Sequence, residues 1–124
     1  MTGKKLQRLC DVWRERLRLK DWKIVCKFGT LEEVKGDYAY TSWDITRKEA
    51  FVLIGRPSEY EEDLDDADTE ESLIHELLHL VFPALGVTPT NEFGLNTISS
   101  LLYRGMHRTK RRERDIVKTL SIIP

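Results

Sequence analysis

Three histidines occur in this 124-residue chain, and two of them, His75 and His79, stand four apart with Glu76 directly after the first. On an α-helix, residues i and i+4 share a face, so both imidazoles would point to one place. That spacing lets a rigid element offer two nitrogen ligands to a tetrahedral zinc ion. A carboxylate in the next position is placed to take a proton from water activated there. The rest of the window is apolar: Leu73, Ile74, Leu77, Leu78, Leu80, Val81 and Phe82. A helix apolar nearly all round is an interior helix. Two imidazoles and a carboxylate inside it are costly to bury without partners, and a metal removes that cost. The bland alternative is a chance HExxH whose histidines are solvated or cap a core. The apolar surround, a helix start signal before it and a carboxylate downstream favour the metal.

These residues need a framework. Leu6, Leu9, Cys10, Trp13 and Leu17 recur at helical spacing over residues 3–19, with Lys and Arg on the other face. From Asp21 the period changes to two, and Trp22, Ile24, Cys26 and Phe28 mark a half-buried strand. Tyr38 to Ile45 reads as a second strand and Ala50 to Ile54 as a third, with a polar turn at residues 46–49. Short connections predict an antiparallel meander backed by helices. Residues 57–68 form an acidic loop lacking the glycine and terminal glutamate of a calcium loop. Its acids complement the dipole of the following helix, with Asp68 or Thr69 as the N-cap and a stop near Phe82-Pro83. A last helix is expected from Thr90 or Asn91. Leu95, Ile98, Leu101 and Leu102 are its expected core stripe. Glu92, Asn96, Ser99 and Tyr103 form a second stripe, of a kind suited to face a metal.

With HELLH and a downstream helical glutamate, the chain resembles the zincin metallopeptidases, most narrowly the minigluzincins and the short metallopeptidases of phages and prophages. The resemblance implies a small zincin-like α+β domain. Its parts are an N-terminal helix, a three-stranded, mainly antiparallel sheet, the central HExxH helix and a following ligand-bearing helix. It implies a zinc cofactor held by His75, His79 and Glu92, with Glu76 as general base in peptide-bond hydrolysis. Larger gluzincins carry an aspartate four residues after the glutamate to orient a ligand histidine. Asn96 stands there, able to accept from an imidazole but without charge. The developing oxyanion needs a donor, for which Tyr103 comes first, with His107 and Arg104 behind it. Strand addition of an extended peptide is expected at an edge formed by Phe51 to Gly55. The metzincin pattern fails, because Phe82 and Leu85 stand where it needs glycine and histidine. HExxHxxxH families fail at Pro83.

The third ligand has competitors on the sequence alone: His107, or an acid of residues 59–71. Glu92 lies 13 residues after His79 (92 − 79), enough chain for one helix to end, turn and return. A carboxylate fixed on a helix also suits a metal better than one on a loop.

The length suits one domain, residues 1–105, followed by a basic tail or short helix over 106–124. A net charge of −1 gives no global field toward nucleic acid or membrane. Neither a signal-type segment nor a bilayer-length apolar run is present, so the chain reads as cytoplasmic with no membrane partner. Cys10 and Cys26 fall on apolar stripes and read as buried free thiols. Two further readings stand beside a zinc endopeptidase acting on peptide or protein. One is a metal-stabilised but latent module. The other is a nucleic-acid-associated accessory protein using the basic residues His107, Arg108, Lys110, Arg111, Arg112 and Arg114.

Overall fold

Leu6, Cys10 and Trp13 lie buried along one face of helix α1 (Gly3–Arg16). Its first turn is closed by Thr2, whose hydroxyl accepts from the Lys5 amide at 3.1 Å. The computed structural model describes residues 1–84, 95 and 98–106. Arg18, in the left-handed region at φ 59°, turns the chain out of α1 and into strand β1 (Lys23–Gly29). Strands β2 (Ala39–Asp44) and β3 (Glu49–Gly55) follow as a hairpin. All three expected strands are present, each within a residue or two of its expected bounds.

Their order does not follow the expected meander. The sheet runs β1-β3-β2, with β1 parallel to β3 and β2 antiparallel to it. It is therefore mixed rather than mainly antiparallel. β3 has a strand neighbour on each side. Residues 30–38 provide the slack that carries the chain past β3's position before β2 turns back. They are folded on themselves by reciprocal Thr30–Glu33 bonds of 3.0 and 3.2 Å and a left-handed Lys35-Gly36 pair. A second correction follows: Phe51 to Gly55 is the central strand and has no free edge for a peptide. The two edges belong to β1 and β2.

Those edges differ. Along β1, Gln7 of α1 donates to the Ile24 carbonyl at 3.1 Å and accepts from the Cys26 amide at 2.9 Å, and Arg14 donates to the Trp22 carbonyl at 2.9 Å. Side chains thus satisfy a backbone edge that would otherwise invite another strand. Among the described residues, no strand pairs with the outer edge of β2.

Both long helices cover one sheet face. In register across it stand Cys26, Val52 and Thr41, with Ile24 and Ile54 also pointing inward. Cys10 and Cys26 are free and buried, and the hydrogen bond to Cys10, then burial, push the Cys26 thiol far above its ordinary range. On the opposite face Phe51 remains 37% exposed, so the apolar run of β3 is covered on one side only.

Helix α2 (Asp66–Ala84) packs Leu73, Ile74, Leu77 and Leu80 into the core, all fully buried. It starts earlier than Asp68 or Thr69. Asp65 and Asp68 form a reciprocal capping box, with the Asp68 amide donating to Asp65 at 3.0 Å and the Asp65 amide to Asp68 at 2.9 Å. The Asp68 amide, first, holds the Asp65 carboxyl below the usual carboxylate range.

Residues 98–106 are helical (α3), as is Leu95. The expected core stripe is half overturned. Leu95 is buried and Leu102 packs on the core, while Ile98 and Leu101 are 39% and 62% exposed. Ser99 of the second stripe turns inward instead, since buried Leu95 and Ser99 and half-buried Leu102, Tyr103 and Met106 follow helical spacing. The expected start of this helix at residues 90–91 and the tail from residue 107 lie outside the described residues. Among the described residues, no helix is long and apolar enough to cross a membrane.

Candidate metal centre

The apolar face of α2 is anchored in the core, so its opposite face is aimed with little freedom. That face carries Asp68, Glu71, Ser72, His75 and His79 in sequence, and it floors a cleft of about 800 Å³. The ring centroids of His75 and His79 are 5.1 Å apart at 69° to each other. One ligand atom from each of His75, Glu76 and His79 can be chosen so that all lie within 4.8 Å of one another. Two imidazoles and a carboxylate at that separation could hold a metal ion, and they are the three residues of the HExxH spacing, there read as two ligands and a base.

The opposite wall is β2, which the sequence reading did not connect to the site. Thr41 donates its hydroxyl to Oε2 of Glu76, a carboxylate only 7% exposed. Trp43, two positions on and so on the same face, stacks over His79 with ring centroids 6.5 Å apart and planes 16° apart. A signal for both was available. Positions 39, 41 and 43 share one face of a strand, and a hydroxyl in a row directed at the core needs a polar partner. Burying Glu76 without one would be costly.

The far end of the cleft is acidic. Tyr38 donates to Glu62 and stacks on Tyr60 at 4.9 Å, while Tyr60 donates to the Asp37 carbonyl at 2.6 Å. These contacts strap the acidic loop onto the start of β2. Gly55 makes the strap's fit close, since a Cβ there would fall 1.9 Å from the Tyr60 hydroxyl. On α3, Ser100 donates to Glu71 at 3.3 Å, and Ser99 returns its hydroxyl to the Leu95 carbonyl at 2.8 Å. Three phenols register the negative surroundings. Tyr38 is pushed up first by its bond to Glu62. Tyr60 is pushed up by burial and then by Asp37, Glu59 and Glu62. Tyr103 is raised by burial and then by Glu70, Asp65, Glu71 and Asp68.

The structure thus brings His75, Glu76 and His79 together. Tyr103 is half-buried against the core and faces the acidic start of α2, and it is not part of the cleft lining. Ser100 lies beside Glu71, which sets α3 against the first half of α2. Glu92, Asn96 and His107 lie outside the described residues. Comparison with family models, with curated proteins and with solved structures gives no match to this chain.

Proposed function

We propose that this chain is a zinc-dependent peptidase in which His75 and His79 hold the metal, Glu92 completes the ligand set and Glu76 is the general base. The observation that carries the reading is the convergence of His75, Glu76 and His79 on the floor of an open cleft, their ligand atoms within 4.8 Å. Zinc bound there would polarise a peptide carbonyl and lower the pKa of water to about 7.

The chain's own residues then have distinct tasks. Glu76 takes the proton of the attacking water on a carboxylate oxygen and passes it to the leaving amine. Thr41, donating to Oε2, fixes which carboxylate oxygen turns toward the histidines. Trp43 packs against His79 and restrains its ring. Among the described residues no strand pairs with the outer edge of β2, and an extended peptide can add there as a strand beside the cleft. Glu92 is proposed from its place 13 residues beyond His79. The chain that joins Ala84 to Leu95 must pass from the His79 end of α2 into α3.

The test is zinc-loaded wild type beside Glu76→Gln on a mixed peptide library read by mass spectrometry. The wild type should cleave, whereas Glu76→Gln should retain zinc and lose cleavage by at least about 100-fold, the usual worth of a general base. Equal cleavage by both proteins would refute the assignment of Glu76. No cleavage by the wild type at full zinc loading would leave the metal-stabilised latent module as the reading.

A further inference from the structure

Five carboxylates line the cleft: Asp37, Glu62, Asp68, Glu71 and Glu76. Among the described residues, no lysine or arginine lines it. Apart from Glu76, these acids come from three separate places, the turn before β2, the acidic loop and the first turns of α2. The fold therefore gathers them, rather than one charged run displaying them. Their partners are neutral. Glu62 accepts from the Tyr38 hydroxyl, Asp68 from the Asp65 amide, Glu71 from Ser100 and Asp37 from the Tyr38 amide at 2.8 Å. Lysines that do form ion pairs, such as Lys5 with Asp66 and Lys48 with Asp21, use acids outside the cleft. Among the described residues no cationic side chain pairs with Asp37, Glu62, Asp68 or Glu71, and a cleft lined by one sign of charge concentrates ligands of the other.

We propose that the cleft selects a cationic peptide, with Lys or Arg side chains two to three residues from the bond held at His75, Glu76 and His79. The position of that bond rests on the peptidase reading above; the preference for positive charge does not. The spacing follows from the helix. Glu71 and Asp68 precede His75 by four and seven residues, about 6 and 10 Å along α2 at 1.5 Å per residue. A peptide extended along β2 advances about 3.3 Å per residue, so those distances correspond to two and three residues. Asp37 and Glu62 flank the same end from the β2 side. The same charge disfavours a polyanion in this cleft.

The test uses three fluorescent peptides identical except for Lys, Gln or Glu at the positions two and three residues before and after a central apolar pair, so that either chain direction presents two charges to the acidic end. Binding to the Glu76→Gln protein, which holds peptide without turnover, is followed by anisotropy. One unit-charge pair about 6 Å apart in water is worth about threefold. Two such pairs predict about tenfold tighter binding of the Lys peptide than of the Gln peptide at low salt, with the Glu peptide weakest. The ratio should fall toward one in 1 M salt, where the screening length is about 3 Å. Adding Glu62→Gln and Glu71→Gln should cut the preference by about threefold for each charge removed. If those additions unfold the protein, the peptide and salt series on Glu76→Gln alone decides the matter. Equal binding of the three peptides, preference for the Glu peptide, or no binding of any would overturn the proposal. Charge-selective binding without cleavage by the wild type would uphold the cationic ligand and sink the peptidase reading. Cleavage with no charge preference would do the reverse.

Discussion

Replacing Thr41 by valine keeps the shape and β-branching of the side chain while removing the hydroxyl that donates to Glu76. Glu76 is 7% exposed, so water cannot freely replace that donor. A hydrogen bond to a charged group is worth about 1.5–3 kcal/mol. For a chain of this length that corresponds to a fall of roughly 6–12 °C in melting temperature. The assay is urea and thermal unfolding in chelator, so that metal does not contribute to either protein. Thr41→Ser, which keeps the donor, should recover most of the loss. In the zinc-loaded protein Thr41→Val should also reduce kcat more than it raises KM, because the hydroxyl orients the base rather than the peptide. The reasoning fails if Thr41→Val lies within about 0.5 kcal/mol of wild type, the range of an ordinary surface change. It fails equally if Thr41→Ser is as damaging as Thr41→Val.

Gly55→Ala should destabilise by about 1–3 kcal/mol, the usual cost of overpacking, because its Cβ meets a Tyr60 ring pinned by Tyr38 and the Asp37 carbonyl. In a double-mutant cycle with Tyr60→Ala the two costs should be strongly non-additive, and simple additivity would remove the clash as the cause. Asp65→Asn addresses the capping box. The folded pKa of Asp65 is depressed from 3.8, so its charge contributes stability that is present above that value and lost as pH falls through the folded value. The melting temperature of Asp65→Asn should therefore lie below that of wild type at pH 7, with the gap closing as pH drops below about 4. A gap independent of pH would show that the charge is not what caps α2.

The HExxH pair was legible because spacing alone decides which residues share a helical face, and because the apolar surround of Leu73, Leu77 and Leu80 says which face is buried. The strands were legible from period two in the first, from aromatic and β-branched residues in the second and from a short apolar run in the third. Their order was not, since alternation along Trp22–Phe28 says nothing about which strand lies beside which. That left β3 mistaken for an edge, and with it the wall of the cleft. Thr41 and Trp43 were missed for the same reason: a residue on β2 becomes part of the site only once β2 is known to lie beside α2. On α3 the sequence weighed Ile98 and Leu101 by their apolarity. The packing instead admits Ser99, whose hydroxyl is satisfied within its own helix by the Leu95 carbonyl and so costs little to bury.

The central claim is that His75 and His79 hold a metal, and zinc stoichiometry with a paired melting curve tests it most directly. Protein purified without chelator and dialysed against buffered zinc should hold about one ion per chain. Chelation should lower its melting temperature, because the metal binds only the folded arrangement. His79→Ala should lose both the ion and the chelator sensitivity. Protein that takes up no zinc, and melts at the same temperature with and without chelator, would contradict the account at its base.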